Sequence, residues 1–541
     1  MYQVVWLRNM SLGSLVTPFA AFTVLVSLFF CTATVQAEGL EDKVVEYRLD
    51  NGLTLLVVPR HAIPTFTAFI SVGVGAVNEQ ENNRGIAHLL EHMRFKGTKT
   101  IGTKDYSGEQ GFLQRIDETV VAIETCEKDD SCAEGSLQAL RASLKELQTE
   151  HRELLVKDES AQIYARHGGV GYNAFTSKDL TAYLVSLPAN KLELWISMEA
   201  DRMKNTVLRE FYTEKEVVLE ERRRSYETSP SGMMYETLLA TAFRVHPYRH
   251  PIIGWTSDIH SLSREQTRQF MEKYYMPSNT VIALVGDVDA AQAQKLIEQY
   301  FGDIPAGVKV PEVSAVEPTQ NGERRAEVVF HANPQLLVGY HKPTIPHRDD
   351  YAFDLLSIIL GRGPSSRLHR ALILEQQLAS TVSVYSAPGA RYPNLFVIGA
   401  APRHPHTCAE VEQAVYAQLE EIKTTGVSNE ELEHARKRLR ADRIRRLRSN
   451  QGLASMLTNF EIVTGSWKYL LDYDDILQSI TATEVKSAAV DWLNAENRSV
   501  ITLKSPTPKM QENSVQESSV QGGSEREESS DSDVTGDGNA G

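Results

Sequence analysis

The stretch RGIAHLLEHMRFKGT, residues 84–98, sets His88, Glu91 and His92 inside an otherwise apolar helical pattern. Positions four apart lie one turn apart on the same helix face, so His88 and His92 address one point in space, with Glu91 beside them. Ile86, Leu89, Leu90 and Met93 ask for the core, and two core histidines beside a surface glutamate would fit that helix poorly. A zinc ion accounts for all three polar groups. Two neutral imidazoles supply nitrogen ligands, a third protein ligand completes the holder, and one position stays open for water. Glu91 is placed to take a proton from that water as general base. A carboxylate on another helix is the natural third ligand, and REFYTEKEVVLEERRRSYE, residues 209–227, supplies several. Glu214 and Glu221, two turns apart, share a face, but spacing does not choose among Glu214, Glu216, Glu220 and Glu221.

The chain around this motif has 541 residues, is 42% hydrophobic and carries a formal charge of −15, which allows more than one core and argues against nucleic acid as partner. Residues 506–541 hold eight acids against Lys509 and Arg526 and almost no large apolar residue, so a disordered acidic tail is expected there. At the other end, Arg8, an apolar run from Phe19 to Cys31 and the small-x-small site Val35-Gln36-Ala37 read as a secretory signal over residues 1–37. The expectation is a mature chain that starts at Glu38, is periplasmic or secreted, and has no stable membrane insertion, the other reading being an uncleaved anchor, for which the apolar run is short. Cys126 and Cys132 flank the polar loop EKDDS. An oxidising compartment allows a disulfide across it; a reducing one leaves two surface thiols.

Strand-like runs at Val44–Leu49 and Leu53–Val58 flank Asn51-Gly52, a strong hairpin signal. Further strand-like runs at Thr65–Val74, 182–188 and 279–289 alternate with helical segments, without the regular repeat of a doubly wound sheet, so the fold class is α+β. The order of elements repeats. HAIPTFTAFISVGVGA begins at His61 and HANPQLLVGYHKPTIP at His331; where the first copy continues GIAHLLEHM, the second has LLSIILGRG. We expect two homologous halves, 38–305 and 324–505, joined by a Pro/Gly-rich linker at 306–323, with the metal-like triad in the first alone. Within the first half, about residues 105–168 look inserted. Phe112, Ile116, Val120 and Ile123, then Leu137, Leu140, Leu144 and Leu147, recur at helical spacing, as a helical hairpin packed on the body with its tip near the two cysteines. The basic run EHARKRLRADRIRRLR, residues 433–448, reads as a solvated helix face.

Four stretches together, GIAHLLEHMRFKGT, GYNAFTSKDLTAYLVSLP, FYTEKEVVLEERRRSYETSP and NTVIALVGDVD, resemble the pitrilysin/insulinase family of zinc metallopeptidases, in its bacterial and mitochondrial processing-peptidase branch, over about residues 42–505. The resemblance implies two α+β halves in a clam-like chamber around an unfolded polypeptide or oligopeptide. It implies one Zn2+ per chain on His88, His92 and Glu221. Glu91 is implied as the catalytic base toward the zinc-held water, with Glu214 as its accessory carboxylate. YNAFTS is implied as the strand that receives substrate, through Asn173, Ala174 and Phe175. One departure stands out. Related enzymes carry an Arg and, seven residues on, a Tyr in the second half. Here those places hold Ile373 and Ser380, with Arg370 three residues early and Tyr385 five late. The expectation is an exported zinc endopeptidase whose homologous partner chain supplies Arg and Tyr in a heterodimer, a homodimer being the other arrangement. The alternative is a non-catalytic scaffold subunit of a heteromeric peptidase.

Overall fold

Asn51-Gly52 makes its turn because Gly52 takes a left-handed φ of 86° while the Asn51 amide donates to the carbonyls of Phe301 (2.8 Å) and Ile304 (3.0 Å). The hairpin so closed joins β1 (Val45–Arg48) to β2 (Thr54–Pro59) and is stitched to the end of helix Ala290–Phe301. The computed structural model describes residues 39–506. The expected signal segment, and the acidic tail from Thr507 on, lie outside the described residues.

Two sheets follow. The first holds β1, β2, β3 (Thr65–Val72), β4 (Val170–Thr176), β5 (Thr181–Pro188) and β6 (Thr280–Gly286) in the order β1-β2-β6-β3-β5-β4. The second holds β7 (Arg324–Val329), β8 (Gln335–Lys342), β9 (Ala379–Ala387), β10 (Asn394–Pro402) and β11 (Arg498–Lys504) in the order β7-β11-β8-β10-β9. Leaving out β1, the second order is the first one over again. The parallel pairs are β2-β6 in the first sheet and β7-β11 in the second, and all other pairs are antiparallel. The echo of His61 in His331 marks β3 and β8, the central strands of the two sheets. The protein is thus α+β, two homologous halves with helices on both faces of each sheet.

The stretch LLVV of β2, residues 55–58, is apolar throughout because both its faces are covered. Leu55 and Val57 face a core shared with Ile86, Leu90, Trp195, Phe211 and Ile297, all from helices of the first half. Leu56 and Val58 face Leu453, Leu457 and Trp467, which belong to the second half. Helix Asn450–Thr464 therefore packs on the first sheet, along β3 and β6. The exchange is reciprocal. Helix Pro230–Ala242 leaves the first half, and its Met234, Leu238 and Leu239 pack with Val328, Leu395, Val397 and Ile501 of the second sheet. Amphipathic periodicity says that a helix needs a sheet, not which one, so sequence-drawn halves did not foresee the swap. A polar seam reinforces it: Asp179 accepts hydrogen bonds from Tyr248 Oη (2.6 Å), Ala390 N (2.8 Å) and Arg391 N (3.2 Å).

The expected inserted hairpin is present as helices Tyr106–Lys128 and Glu134–Glu153, tied at the tip by a Cys126–Cys132 disulfide with a Cα–Cα separation of 5.4 Å. Leu113, Ile116, Val120, Ile123 and Leu147 are buried along it. Its foot is fastened to the body by Asp117, which accepts from Tyr212 Oη (3.0 Å) and pairs with Arg264. On the basic helix Asn429–Arg448, Arg443 turns inward and meets Asp474 at 2.8 Å while Arg440, Arg445 and Arg446 face solvent, as expected of a solvated face. No described helix is long and apolar enough to cross a membrane.

Candidate metal centre

The HLLEH stretch is helical over Ile86–Met93, and two devices fix where the helix begins. Gly85 turns the chain with a φ of 95°, and a Cβ there would lie 2.4 Å from the carbonyl oxygen of Ile253, so only glycine fits. The Glu79 carboxylate then accepts from the backbone N–H groups of Gly85 and Ala87, both at 3.0 Å, a cap borrowed from six and eight residues upstream. Burial raises the Glu79 carboxyl to about 8, against these two bonds and nearby Lys178. Ile86, Ala87, Leu89, Leu90 and Met93 are all fully buried, which turns the two histidines outward.

Their rings stand 4.7 Å apart, edge to face. Helix Phe211–Arg222 crosses in front of them and brings Glu221. Its Oε1 lies 3.8 Å from His88 Nε2 and its Oε2 3.5 Å from His92 Nε2, and one donor atom from each of the three residues falls within 4.8 Å of the others. The spacing suits a small cation better than hydrogen bonds: donors about 2 Å from a tetrahedral centre sit roughly 3.3 Å from one another. Burial, joined by the charge of His92, pushes His88 down to about 4. Its Nδ1 is buried with no hydrogen-bond partner among the described residues.

His92 is held from behind. Its Nδ1 lies 2.9 Å from Glu214 Oε1, and Glu214 Oε2 lies 2.6 Å from Lys96 Nζ. Burial opposes charge at both residues. Even so, the hydrogen bond with Glu214 and the facing Glu221 carboxylate carry His92 up to about 9, and the contacts with His92 and Lys96 draw Glu214 down to about 2. Glu214 therefore sits on the far side of the ring from Nε2. A carboxylate in that place can orient the ring and set which nitrogen faces forward. The facing His92 ring, with burial opposing, also keeps Glu221 below the ordinary range. Of the other glutamates, Glu216 is exposed and Glu220 pairs with Arg223 (2.8 Å) and Arg224 (3.3 Å), away from the rings.

Glu91 is 8% exposed and accepts a 2.6 Å hydrogen bond from Thr176 Oγ1 at the end of β4. Burial holds its carboxyl above the usual range although the Thr176 bond works against it. Thr176 lies in the YNAFTS stretch, but nothing in the sequence joined it to Glu91. Strand β4 is the sheet's edge, paired with β5 alone. Asn173 and Phe175 are exposed there, whereas the Ala174 side chain is buried and that residue offers only its backbone.

In the second half, Ile373 packs against the core and Ser380 Oγ donates to Ala401 O at 3.2 Å. Arg370 pairs with Glu375 at 3.4 Å, and Tyr385 packs beside the Leu395 and Val397 cluster.

A family model described as insulinase, peptidase family M16, matches residues 56–111 and 154–255, leaving out most of the inserted hairpin. A second, described as the peptidase M16 inactive domain, matches residues 261–439. Among curated proteins, the zinc protease PqqE of Helicobacter pylori is 27% identical over 486 residues, covering 87% of this chain and 95% of that protein. Among solved structures, a protease from Helicobacter pylori superposes with a TM-score of 0.71 at 26% identity, covering 85% of this chain and 99% of that one. The periplasmic protease PqqL from Escherichia coli shares the fold with a TM-score of 0.64 at 18% identity, covering 86% of this chain but 48% of that one.

Proposed function

The chain belongs to the insulinase family, peptidase family M16, and from that premise we propose that it is an exported zinc endopeptidase that cleaves extended peptides together with a second chain of the same fold. One observation carries the reading: His88 Nε2, His92 Nε2 and the Glu221 carboxylate converge on one point beside the buried Glu91. Zinc held there supplies Lewis acidity toward a water and a peptide carbonyl. The chain's own residues do the rest. Glu91 accepts the proton of the attacking water and hands it to the leaving amine; its raised proton affinity suits both transfers. Thr176 keeps that carboxylate aimed. Glu214 and Lys96 hold the His92 ring still. The free edge of β4 takes the substrate backbone as an added strand at Asn173–Phe175, which favours unfolded segments over a fixed sequence.

The partner chain is inferred from what the second half lacks, Ile373 and Ser380 standing where related enzymes place Arg and Tyr. PqqL, a chain about twice as long, is a precedent in fold. PqqL is a periplasmic protease, which accords with the signal-like N-terminus of this chain. The same vacancy favours a second reading, a scaffold subunit without catalysis. Zinc content separates the two. The purified chain should hold one zinc by mass spectrometry, and Glu91→Gln should keep the zinc while losing about 10²–10⁴-fold in turnover with the partner present. A chain that takes up no zinc, or an unaffected Glu91→Gln variant, ends the peptidase proposal.

A further inference from the structure

Two helices bring the three candidate ligands together, and they meet at one buried side chain outside the site. Arg209 is 1% exposed. It sits just before helix Phe211–Arg222, which carries Glu214 and Glu221. Its guanidinium reaches the loop that follows helix Ile86–Met93. Nη1 donates to the carbonyls of Lys96 (3.1 Å) and Ile101 (3.2 Å), and Nη2 donates to Thr98 O. Two glycines make room: a Cβ on Gly97 would come within 3.2 Å of Nη1, and one on Gly102 within 3.4 Å.

A buried guanidinium persists only if its charge is met. Here Glu109, fully buried at the foot of the inserted hairpin, accepts from Arg209 Nε at 2.9 Å and meets His151 Nε2 at 3.1 Å. The neighbouring residue is under strain of its own. Glu210 has a φ of 52°, unusual for a side chain of its size, and its carboxylate stands 3.5 Å from Lys96 Nζ and 3.7 Å from Arg152 of the hairpin. Lys96 in turn holds Glu214, which holds His92. Both chains of contacts run from the hairpin foot to the candidate ligands, and His151 and Arg152 lie in the segment that the family match leaves out.

We propose that Arg209 is a positioning residue that sets the spacing between the two histidines and Glu221, and that the foot of the inserted hairpin, through Glu109, keeps it in place. The inference rests on the zinc-site reading, so its test carries one arm that needs no metal. Two variants serve. Glu109→Met/Arg209→Met removes both buried charges together and strands neither. Arg209→Lys keeps the charge next to Glu109 and loses the fork that spans three carbonyls.

In protein that remains folded, zinc affinity measured by chelator competition should fall about 10–100-fold in the double variant and less in Arg209→Lys. In metal-free protein, hydrogen–deuterium exchange should quicken at residues 96–101 and 209–214 in both variants, the tip of the hairpin staying as protected as before. A merely structural role would lower the melting temperature and move neither readout at temperatures where the protein is folded. Unchanged exchange at both segments overturns the proposal whatever the metal does, and so does unchanged zinc affinity in a variant whose parent binds zinc. A parent that binds no zinc instead overturns the site reading, and exchange then decides alone whether Arg209 joins the two segments.

Discussion

The two halves place the same strands in the same order, yet the helix that follows the second strand of each repeat carries opposite content. In the first half it presents His88, Glu91 and His92 on one face. In the second, helix Arg348–Gly361 buries Leu355, Leu356, Ile358, Ile359 and Leu360, and the corresponding places hold Ile358, Gly361 and Arg362. The sheet architecture therefore does not require the polar face, since the second copy forms without one. What the first half adds is the set of supports that make three polar groups tolerable: the Glu79 cap, the Thr176 bond and the carboxylates behind and in front of His92.

Breaking that difference should give the largest effect. His88→Ala should remove bound zinc and all peptidase activity at a smaller cost in unfolding, because the buried His88 Nδ1 has no hydrogen-bond partner to lose among the described residues. Ile358→Ala at the matching place should do the reverse. It should leave zinc stoichiometry intact and lower stability by about 2–5 kcal/mol, read by denaturant titration. If both substitutions cost only stability, the two helices play the same role and the distinction drawn between the halves is mistaken.

The exchanged helices give the next effect. Leu238 and Leu457 are both fully buried, each under the other half's sheet. Leu238→Ala and Leu457→Ala should each cost about 2–5 kcal/mol, with the two halves still unfolding in one transition. Separate transitions in either variant would show that the halves are independent domains in contact.

Part of this could be read in the chain and part could not, for physical reasons. The hairpin at Asn51-Gly52, the strand at Thr65–Val72 and the hairpin insertion follow from local rules, a turn that needs left-handed backbone and apolar periods of two and of three to four. The facing of His88 and His92 follows from helix geometry alone. Glu221 did not, since four glutamates in eight residues offer every face of one helix, and only the resemblance selected among them. Glu79, Thr176, Lys96 and Arg209 carried no local signal. Each acts across a distance in sequence set by the fold, and a buried arginine in a list of residues looks like an exposed one. The same holds for Glu214: spacing puts it on the helix face of Glu221 but does not say that it meets His92 Nδ1.

At the seam between the halves, His246 tests the comparison by pH. It is 3% exposed, packed among Phe243, Tyr248 and Tyr392, and its Nδ1 accepts from the Tyr248 N–H at 3.2 Å. Burial pushes it down to about 4, with nearby Glu317 opposing and Lys178 assisting. Folding thus favours the neutral ring, and the unfolded chain binds the extra proton between its ordinary value, about 6.5, and about 4. This contribution is whole above pH 6.5 and is lost as pH falls toward 4, up to about 3 kcal/mol in all. His246→Gln should flatten the pH dependence of stability in that window and leave it unchanged above pH 7. An equal slope in variant and parent would show that the ring titrates freely and that the seam is wet.

The smallest effect belongs to the hairpin tip, and it separates the two ends of the insertion. The Cys126–Cys132 bridge closes a short loop between helices that already pack on each other, so chain entropy allows it about 2 kcal/mol. The buried Glu109–Arg209 contact lies at the other end, just before the helix that carries Glu214 and Glu221. Cys126→Ser/Cys132→Ser should therefore lower stability by no more than about 2 kcal/mol, loosen exchange at residues 124–136, and leave zinc content and turnover as they were. A loss of zinc or activity in this variant would mean that the tip reaches the site or its partner, and that the insertion acts along its whole length instead of through its foot.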